Sequence, residues 1–294
     1  MRLKSWFNSA PPELHDPLEW ILPLPAMAGS PGVDNGRPLD RFLPLQGGVN
    51  FRDIGGYETT DGRAIRWGQI YRAGVLSQLT PSDQQYLGQL GIRLVCDLRT
   101  ASEVQKRPDK LPANPDCQWQ HLPIENLERS ARLRGLVAVL FDRSRLDNLM
   151  DEGYTRVMID ENAPLIGQAL SLMAEATNRP LVIHCAAGKD RTAVIIALLL
   201  HILGIPTETI LADYTLSNLH YDKFRAGMQQ DLHRLKRWGV TVDHLQAVIL
   251  VKATRLEKTL AHIGQTYGSI TSYLVKQAGI SRQIMQQLRA NLLT

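Results

Sequence analysis

The stretch Leu181-Val182-Ile183-His184-Cys185-Ala186-Ala187-Gly188-Lys189-Asp190-Arg191-Thr192 opens apolar, breaks into small and charged residues, and runs on into the apolar Ala193–Leu200. That order reads as a buried strand, a tight loop and a buried helix. The loop's backbone N–H groups then converge at a helix N-terminus, where an oxyanion binds well. Cys185 stands at the bottom of that cup. A thiol in such a place loses its proton more readily than a free one. Cys185 is therefore expected to attack phosphorus as a thiolate and to form a phosphocysteine. Arg191, six positions on, presents a planar fork of donors to two phosphate oxygens. Ala186, Ala187, Gly188 and Lys189 are expected to bind the same group through the loop. Gly188 permits a positive φ or a close backbone approach where the loop curls. Thr192 is expected to donate its hydroxyl to the sulfur, which makes the sulfur a better leaving group. Lys189 has two readings: a second cation at the mouth of the cup, or the partner of a neighbouring carboxylate. His184 either orients the loop or is a core histidine. The bland reading of Cys185, an inert buried thiol at a strand end, is outweighed by the residues flanking it.

Four further segments stand in order around this one: Asn50-Phe51-Arg52-Asp53-Ile54-Gly55-Gly56; Tyr71-Arg72-Ala73-Gly74 with Leu76-Ser77-Gln78-Leu79; Leu90-Gly91-Ile92 through Asp97-Leu98-Arg99-Thr100 and Glu103; and Thr266-Tyr267-Gly268-Ser269 with Tyr273-Leu274 and Gly279-Ile280. With the string His184-Cys185-x-x-Gly188-Lys189-Asp190-Arg191-Thr192 they resemble the cysteine-dependent protein tyrosine phosphatases. More narrowly they resemble the bacterial tyrosine/serine phosphatase family that has a mycobacterial member. The resemblance implies hydrolysis of phosphomonoesters, above all phosphotyrosine, with phosphoserine, phosphothreonine or phosphoinositides as further substrates. The implied partners are a phosphorylated protein, a lipid or a small phosphomonoester. It also implies helices near residues 127–160 that cover the site. On these, Arg129, Arg132, Arg134, Arg143 and Arg145 either attract phosphorylated substrates or form a solvated helix face.

The proton donor for the leaving oxygen has three candidates, and no Trp-Pro-Asp triplet marks it. Asp190 lies inside the loop and comes first. Asp97 ends a strand beside the site, where an ion pair with Arg99 or Arg72 is its alternative role. Glu125, in Leu122-Pro123-Ile124-Glu125-Asn126, stands near where the family's mycobacterial member carries an aspartate. Asp53 and Arg72 read as scaffold, tying the N-terminal hairpin to the sheet through an Arg52–Asp53 or Asp53–Arg72 pair. Asp213 and Asn218 either steady the loop or touch water, or form the polar end of a helix, the reading preferred here.

The chain has 294 residues and a net charge of +4, too small and too evenly spread for nucleic acid. Three cysteines cannot all pair, and Cys96 and Cys117 read as reduced core residues. No metal-ligand spacing appears among Cys and His, and no cofactor is expected. No segment reaches ~18 consecutive apolar residues, so no membrane span is expected. Glu13, Asp16, Glu19 and several prolines interrupt the N-terminal stretch that a leader would need, which points to the cytoplasm. The expected fold is α/β, a central, mostly parallel sheet flanked by helices and like that of the tyrosine phosphatases. Residues 1–44 read as an irregular arm and 45–294 as one domain. Within it, 125–178 form a helical lid region and 241–294 the C-terminal helices. Strands are predicted within 48–72 and over 92–98, 117–124 and 181–185; helices over 82–90, 191–203 and 208–218. Two other chemistries share such loops. An oxyanion reductase or sulfurtransferase would need resolving cysteines nearby, whereas a phospho-binding module would have lost Cys185 or Arg191.

Overall fold

The computed structural model describes residues 16–24, 41–125, 143–227 and 246–294. Five strands form one sheet: β1 (Arg52–Asp53), β2 (Ile70–Ala73), β3 (Leu94–Asp97), β4 (Gln118–His121) and β5 (Leu181–His184). Their order is β1-β2-β5-β3-β4. β1 runs antiparallel to β2, and every other pairing is parallel. The central strand is β5, and all four of its residues are buried. Leu181 and Ile183 enter one apolar cluster and Val182 the other, on opposite faces, as the twofold side-chain period of a strand requires. A strand covered on both faces needs an unbroken apolar run, which is what residues 181–183 supply.

The helix Arg191–Leu203 follows the loop and buries every residue except His201. Its all-round apolar character is that of a helix enclosed by other elements. Gly204 ends it in the left-handed conformation at φ 88°. The larger apolar cluster gathers residues from Ile54 to Leu293 around this helix.

The segment 48–72 differs from expectation. Only Arg52–Asp53 and Ile70–Ala73 pair as strands there, and single bridges (Glu58 to Ala64, Ile65 to Leu293) hold the stretch between them. The Trp67 ring lies on the backbone of Gly55 and Gly56, where a Cβ at Gly56 would stand 2.2 Å from it. Gly55 and Gly56 form a turn and make room there for an indole. Helix Pro81–Gln89 opens on a capping box between Thr80 and Asp83. β4 is shorter than the predicted 117–124, because Leu122–Glu125 leave the sheet toward the loop.

Helical structure fills 143–178, but not uniformly. A helix over Arg143–Glu152 passes into a π-helical stretch, Gly153–Glu161, before the helix Ala163–Ala174. Helix Thr207–Thr215 continues as a 3-10 turn to His220. The C-terminal helices are Gln246–Ile249, Ala253–Tyr267, Ile270–Lys276 and Arg282–Leu292. Arg129, Arg132 and Arg134 lie outside the described residues, as do the side chains of Arg143 and Arg145 and most of the expected arm. Among the described residues no helix is long and apolar enough to cross a membrane.

Candidate active site

The loop 185–190 leaves the carboxyl end of β5 and curls back on its own cysteine. The Gly188 N–H donates to Cys185 Sγ at 3.2 Å. Gly188 has φ +67°, and a Cβ there would lie 2.2 Å from the Ala73 carbonyl oxygen. Only glycine fits both conditions. The loop's carbonyls are bound from outside. Val75 N–H donates to Ala186 O at 3.1 Å. Asn50 Nδ2 donates to Ala187 O at 3.2 Å and Gly188 O at 3.0 Å, and Arg72 Nη2 donates to Gly188 O at 2.7 Å. Asn50 itself takes a positive φ of 54°, a region that asparagine tolerates better than most residues.

Arg72 and Arg52 are held by Asp213. Its carboxylate accepts from Arg52 Nε (3.1 Å), Arg72 Nη1 (2.6 Å) and the Tyr57 hydroxyl (2.9 Å). Its carbonyl accepts from Arg52 Nη2 at 2.8 Å. All four residues are buried. Burial works against the Asp213 carboxylate, but the charges of Arg52, Arg72 and Arg41 prevail and hold it well below the ordinary range. Arg72 is lowered to about 10 by burial and by its neighbour Arg52, which leaves it charged at neutral pH. The expected Asp53 pairs with Arg52 or Arg72 are replaced. Asp53 accepts the N–H groups of Gly55 (2.8 Å) and Gly68 (2.6 Å) and closes the local turn. Burial raises it to about 6, against those two bonds and Arg41. Asp213 is the centre of this network and reaches the loop through Arg72, the first of its two readings rather than the preferred polar helix end.

Arg191 is clamped face to face with Glu103, Nη1 to Oε2 at 2.7 Å and Nη2 to Oε1 at 2.8 Å. Glu103 also accepts from Thr100 N–H at 2.8 Å as the third residue of its helix. Burial opposes the Glu103 charge, but the Arg191 bonds outweigh it and lower its pKa. One carboxylate thus caps a helix and aims a guanidinium. Glu103→Gln keeps the cap acceptor and loses half of the clamp. Its kcat/KM on para-nitrophenyl phosphate is expected to fall about 10–100-fold through misaimed Arg191, with the melting temperature within a few degrees of the parent protein.

Asp97 is bound by Arg99, from Nε at 2.9 Å and Nη2 at 2.7 Å, and Arg72 is not its partner. Burial raises Asp97 and the bonds from Arg99 bring it below the usual range. Arg99 Nη2 also lies 2.7 Å from Asp109 Oδ2, and His184 Nε2 lies 3.1 Å from that same oxygen. Asp97, Asp109 and His184 cluster within 4.8 Å. The Arg99 guanidinium already supplies positive charge to both carboxylates, which disfavours a metal ion there. His184 is fully buried behind the cysteine.

Lys189 turns inward. Its Nζ lies 2.8 Å from Asp190 Oδ2 and donates to Val248 O at 2.8 Å, which is the carboxylate-pairing arrangement of the two. Burial pushes the Asp190 pKa up, but Lys189 and the Tyr154 hydroxyl prevail and lower it. Thr192 is fully buried, and its Oγ1 has no hydrogen-bond partner among the described residues. Glu125 is exposed and follows Ile124, whose carbonyl oxygen lies 3.5 Å from Arg191 Nη1. Cys96 sits on the neighbouring strand opposite Ile183. Burial pushes its thiol far above the usual range, and Cys117, half-buried, is raised to about 11. A thiol held protonated is a poor resolving nucleophile.

Asn50, Glu103, Asp109, Tyr154 and Tyr214 join the site without having been singled out as site residues. Glu103 had a signal, the Thr100-Ser102-Glu103 start of a helix, but that pattern explains only the cap.

The family model described as tyrosine phosphatase family matches residues 43–294. The chain is 30% identical over 277 residues to the triple specificity protein phosphatase PtpB of Mycobacterium tuberculosis, covering 85% of this chain and 98% of that one. It is 28% identical over 235 residues to a tyrosine-protein phosphatase of Nostoc commune, covering 78% of this chain and 76% of that one. Among solved structures, the core catalytic domain of the PP-IP phosphatase SIW14 from S. cerevisiae matches at 12% identity with a TM-score of 0.34, covering 76% of this chain and 97% of that one, a likeness too loose to argue from.

Proposed function

This chain belongs to the tyrosine phosphatase family, and from that premise we propose how its residues divide the reaction. Cys185 Sγ attacks phosphorus, the S–P bond forms, and the ester P–O bond breaks. The Arg191 fork and the loop N–H groups hold the phosphoryl oxygens as their charge shifts. Water then attacks phosphorus, the S–P bond breaks, and phosphate and the thiolate are released. The unpartnered Thr192 hydroxyl supports a role as the donor that eases departure of sulfur in this second step. The observation that carries the reading is the Gly188 N–H on Cys185 Sγ at 3.2 Å, a dipole already directed at the nucleophile.

The acid is assigned to Glu125. Asp97 is committed to Arg99, and Asp190 to Lys189 and the Tyr154 hydroxyl, so neither carboxyl is turned toward a leaving group. Glu125 alone of the three is exposed, one residue beyond a carbonyl that touches Arg191. An alkoxide needs a proton on departure more than an aryl oxide does. Glu125→Gln is therefore expected to slow an alkyl phosphate about 100-fold and para-nitrophenyl phosphate less than tenfold. Asp190→Asn is expected to affect both substrates alike, and the reverse pattern in steady-state kinetics moves the acid back to Asp190.

The substrates are phosphorylated molecules, and phosphotyrosyl proteins are proposed as the preferred class. Cys185 is only 2% exposed, and a nucleophile so recessed suits a long aryl ester over a short one. Phosphoseryl, phosphothreonyl and phosphoinositide substrates are the proposed extension, supported by the triple specificity in the name of the mycobacterial relative. Phosphate release should be measured on phosphotyrosyl, phosphoseryl and phosphothreonyl peptides and on phosphoinositide vesicles. Fastest turnover of the phosphotyrosyl peptide is expected, and release from none of them overturns the assignment. Residues 45–294 are read as one catalytic domain, supported by the larger apolar cluster, which runs from Ile54 to Leu293. A nucleophilic thiol is kept reduced in a reducing compartment, which fits a cytoplasmic location.

A further inference from the structure

Asp190 occupies the position just before the helix Arg191–Leu203, and its side chain makes no capping bond. An aspartate there ordinarily turns its carboxylate onto the first free N–H groups of the helix. Two groups hold it elsewhere. Lys189 Nζ donates to Asp190 Oδ1 at 2.9 Å, and the Tyr154 hydroxyl donates to that same oxygen. Tyr154 is itself fixed. Its hydroxyl is 2.8 Å from the hydroxyl of Tyr214, and the Arg255 guanidinium carbon stands 5.9 Å from its ring centroid. Both tyrosines are buried. Tyr154 comes from the π-helical stretch Gly153–Glu161, a geometry that recurs at functional sites.

A carboxylate inside an anion-binding loop is a rival to the substrate. It has the same charge as a phosphate ester, and a free helix N-terminus attracts it as strongly as any anion. We propose that Tyr154 is a positioning residue that, with Lys189, keeps the Asp190 carboxylate off the N-terminus of the helix and so leaves the loop N–H groups open to the phosphoryl oxygens. The proposal rests on the reading of loop 185–190 as a phosphate cup. It gives the stretch Gly153–Glu161 a task at the site, since the element that carries Tyr154 determines whether the cup is open.

Tyr154→Phe removes one hydroxyl and keeps the buried ring. Tungstate, a stable mimic of phosphate, serves as the probe, and its affinity is read by calorimetry. Tyr154→Phe is expected to bind tungstate about tenfold more weakly than the parent protein, the effect of losing one hydrogen bond to a charged group. In an Asp190→Ala background the same substitution is expected to change affinity less than twofold, because no carboxylate remains to be held. Equal affinity of parent and Tyr154→Phe overturns the proposal. So does an equal loss in both backgrounds, which is what a merely structural tyrosine produces. Should Tyr154→Phe fail to fold, Tyr214→Phe removes only the outer hydroxyl, and a smaller loss that again vanishes without Asp190 is expected. Failure of tungstate to bind the parent protein removes the cup itself and is thereby distinguished from failure of the tyrosine's role.

Discussion

Cys185→Ser is expected to lower turnover of para-nitrophenyl phosphate by about 10⁴-fold or more, in the range seen when a nucleophile is removed from a coupled catalytic unit. A serine hydroxyl stays protonated near neutrality and is the weaker nucleophile toward phosphorus. The rest of the cup does not depend on sulfur. Asn50, Arg72 and Val75 hold the loop carbonyls, and Glu103 holds Arg191. The variant should therefore still bind tungstate with an affinity close to that of the parent protein. Rapid quenching of the parent protein with ³²P-labelled substrate should leave phosphorus on Cys185, and the variant should show none. Residual turnover above about 1% of the parent rate removes Cys185 as nucleophile. Loss of tungstate binding together with activity instead shows that the sulfur shapes the cup.

The largest expected effect on stability belongs to Asp213→Asn. The substitution keeps the shape and removes the charge that two buried guanidiniums face. Breaking a buried ion pair from one side costs about 3–5 kcal/mol, because the remaining charge stays buried and uncompensated. For a protein of this size that corresponds to a fall in melting temperature of about 10 °C. The pH dependence follows from the direction of the shift. The Asp213 carboxyl is held below its unfolded value of ~3.9. Its contribution is complete above that value and is lost as pH falls through the folded value. The gap in stability between the parent protein and the variant should be widest at neutral pH and close progressively below about pH 4. Asp53 has the opposite sign. Raised to about 6 in the folded protein, it adds stability as the pH falls toward its unfolded value. It is present in both proteins and cancels in the difference. A change in melting temperature of under about 2 °C means that the two arginines have found another counterion, and the network is then not the support of the loop.

The two networks are tied together. Arg72 joins Asp213 to the carbonyl of Gly188, and Asn50 joins that carbonyl to Arg52. Asp213→Asn is therefore expected to loosen the loop as well as the fold. This explains why Arg52 and Arg72 lie on the two paired strands nearest to β5 on one side. The register Arg52 opposite Arg72, and Arg72 opposite Ile183, brings both guanidiniums to the same end of the sheet.

Several contacts of the site were beyond reach from the residue order. Arg191 finds Glu103 across 88 positions, Asn50 finds Gly188 across 138, and Arg72 finds Asp213 across 141. Each depends on which strands lie next to one another, and side-chain periodicity says nothing about strand order. Asp97 illustrates the opposite case. Its partner Arg99 is two residues away, and a local pair of this kind was among the expected alternatives. Asp213 was misread because an aspartate near the end of a helix is normally solvated. Only the approach of Arg52, Tyr57 and Arg72 from distant parts of the chain encloses it. The strands of 48–72 were overestimated for a related reason: Gly55 and Gly56 do form a turn, but they also receive the Trp67 ring, a contact within the segment that side-chain alternation does not announce.

Residue order alone settled the strand, the loop and the helix at 181–203, together with the nucleophile and its arginine. These features depend on apolar runs and on contacts within a few residues, and such interactions are written along the chain. Folding in three dimensions decided which carboxylate aims Arg191, which side chains hold the loop open and where the charge of Asp190 is kept. Those are pairings between distant segments, and their energies exist only once the sheet has brought the segments together and excluded water from between them.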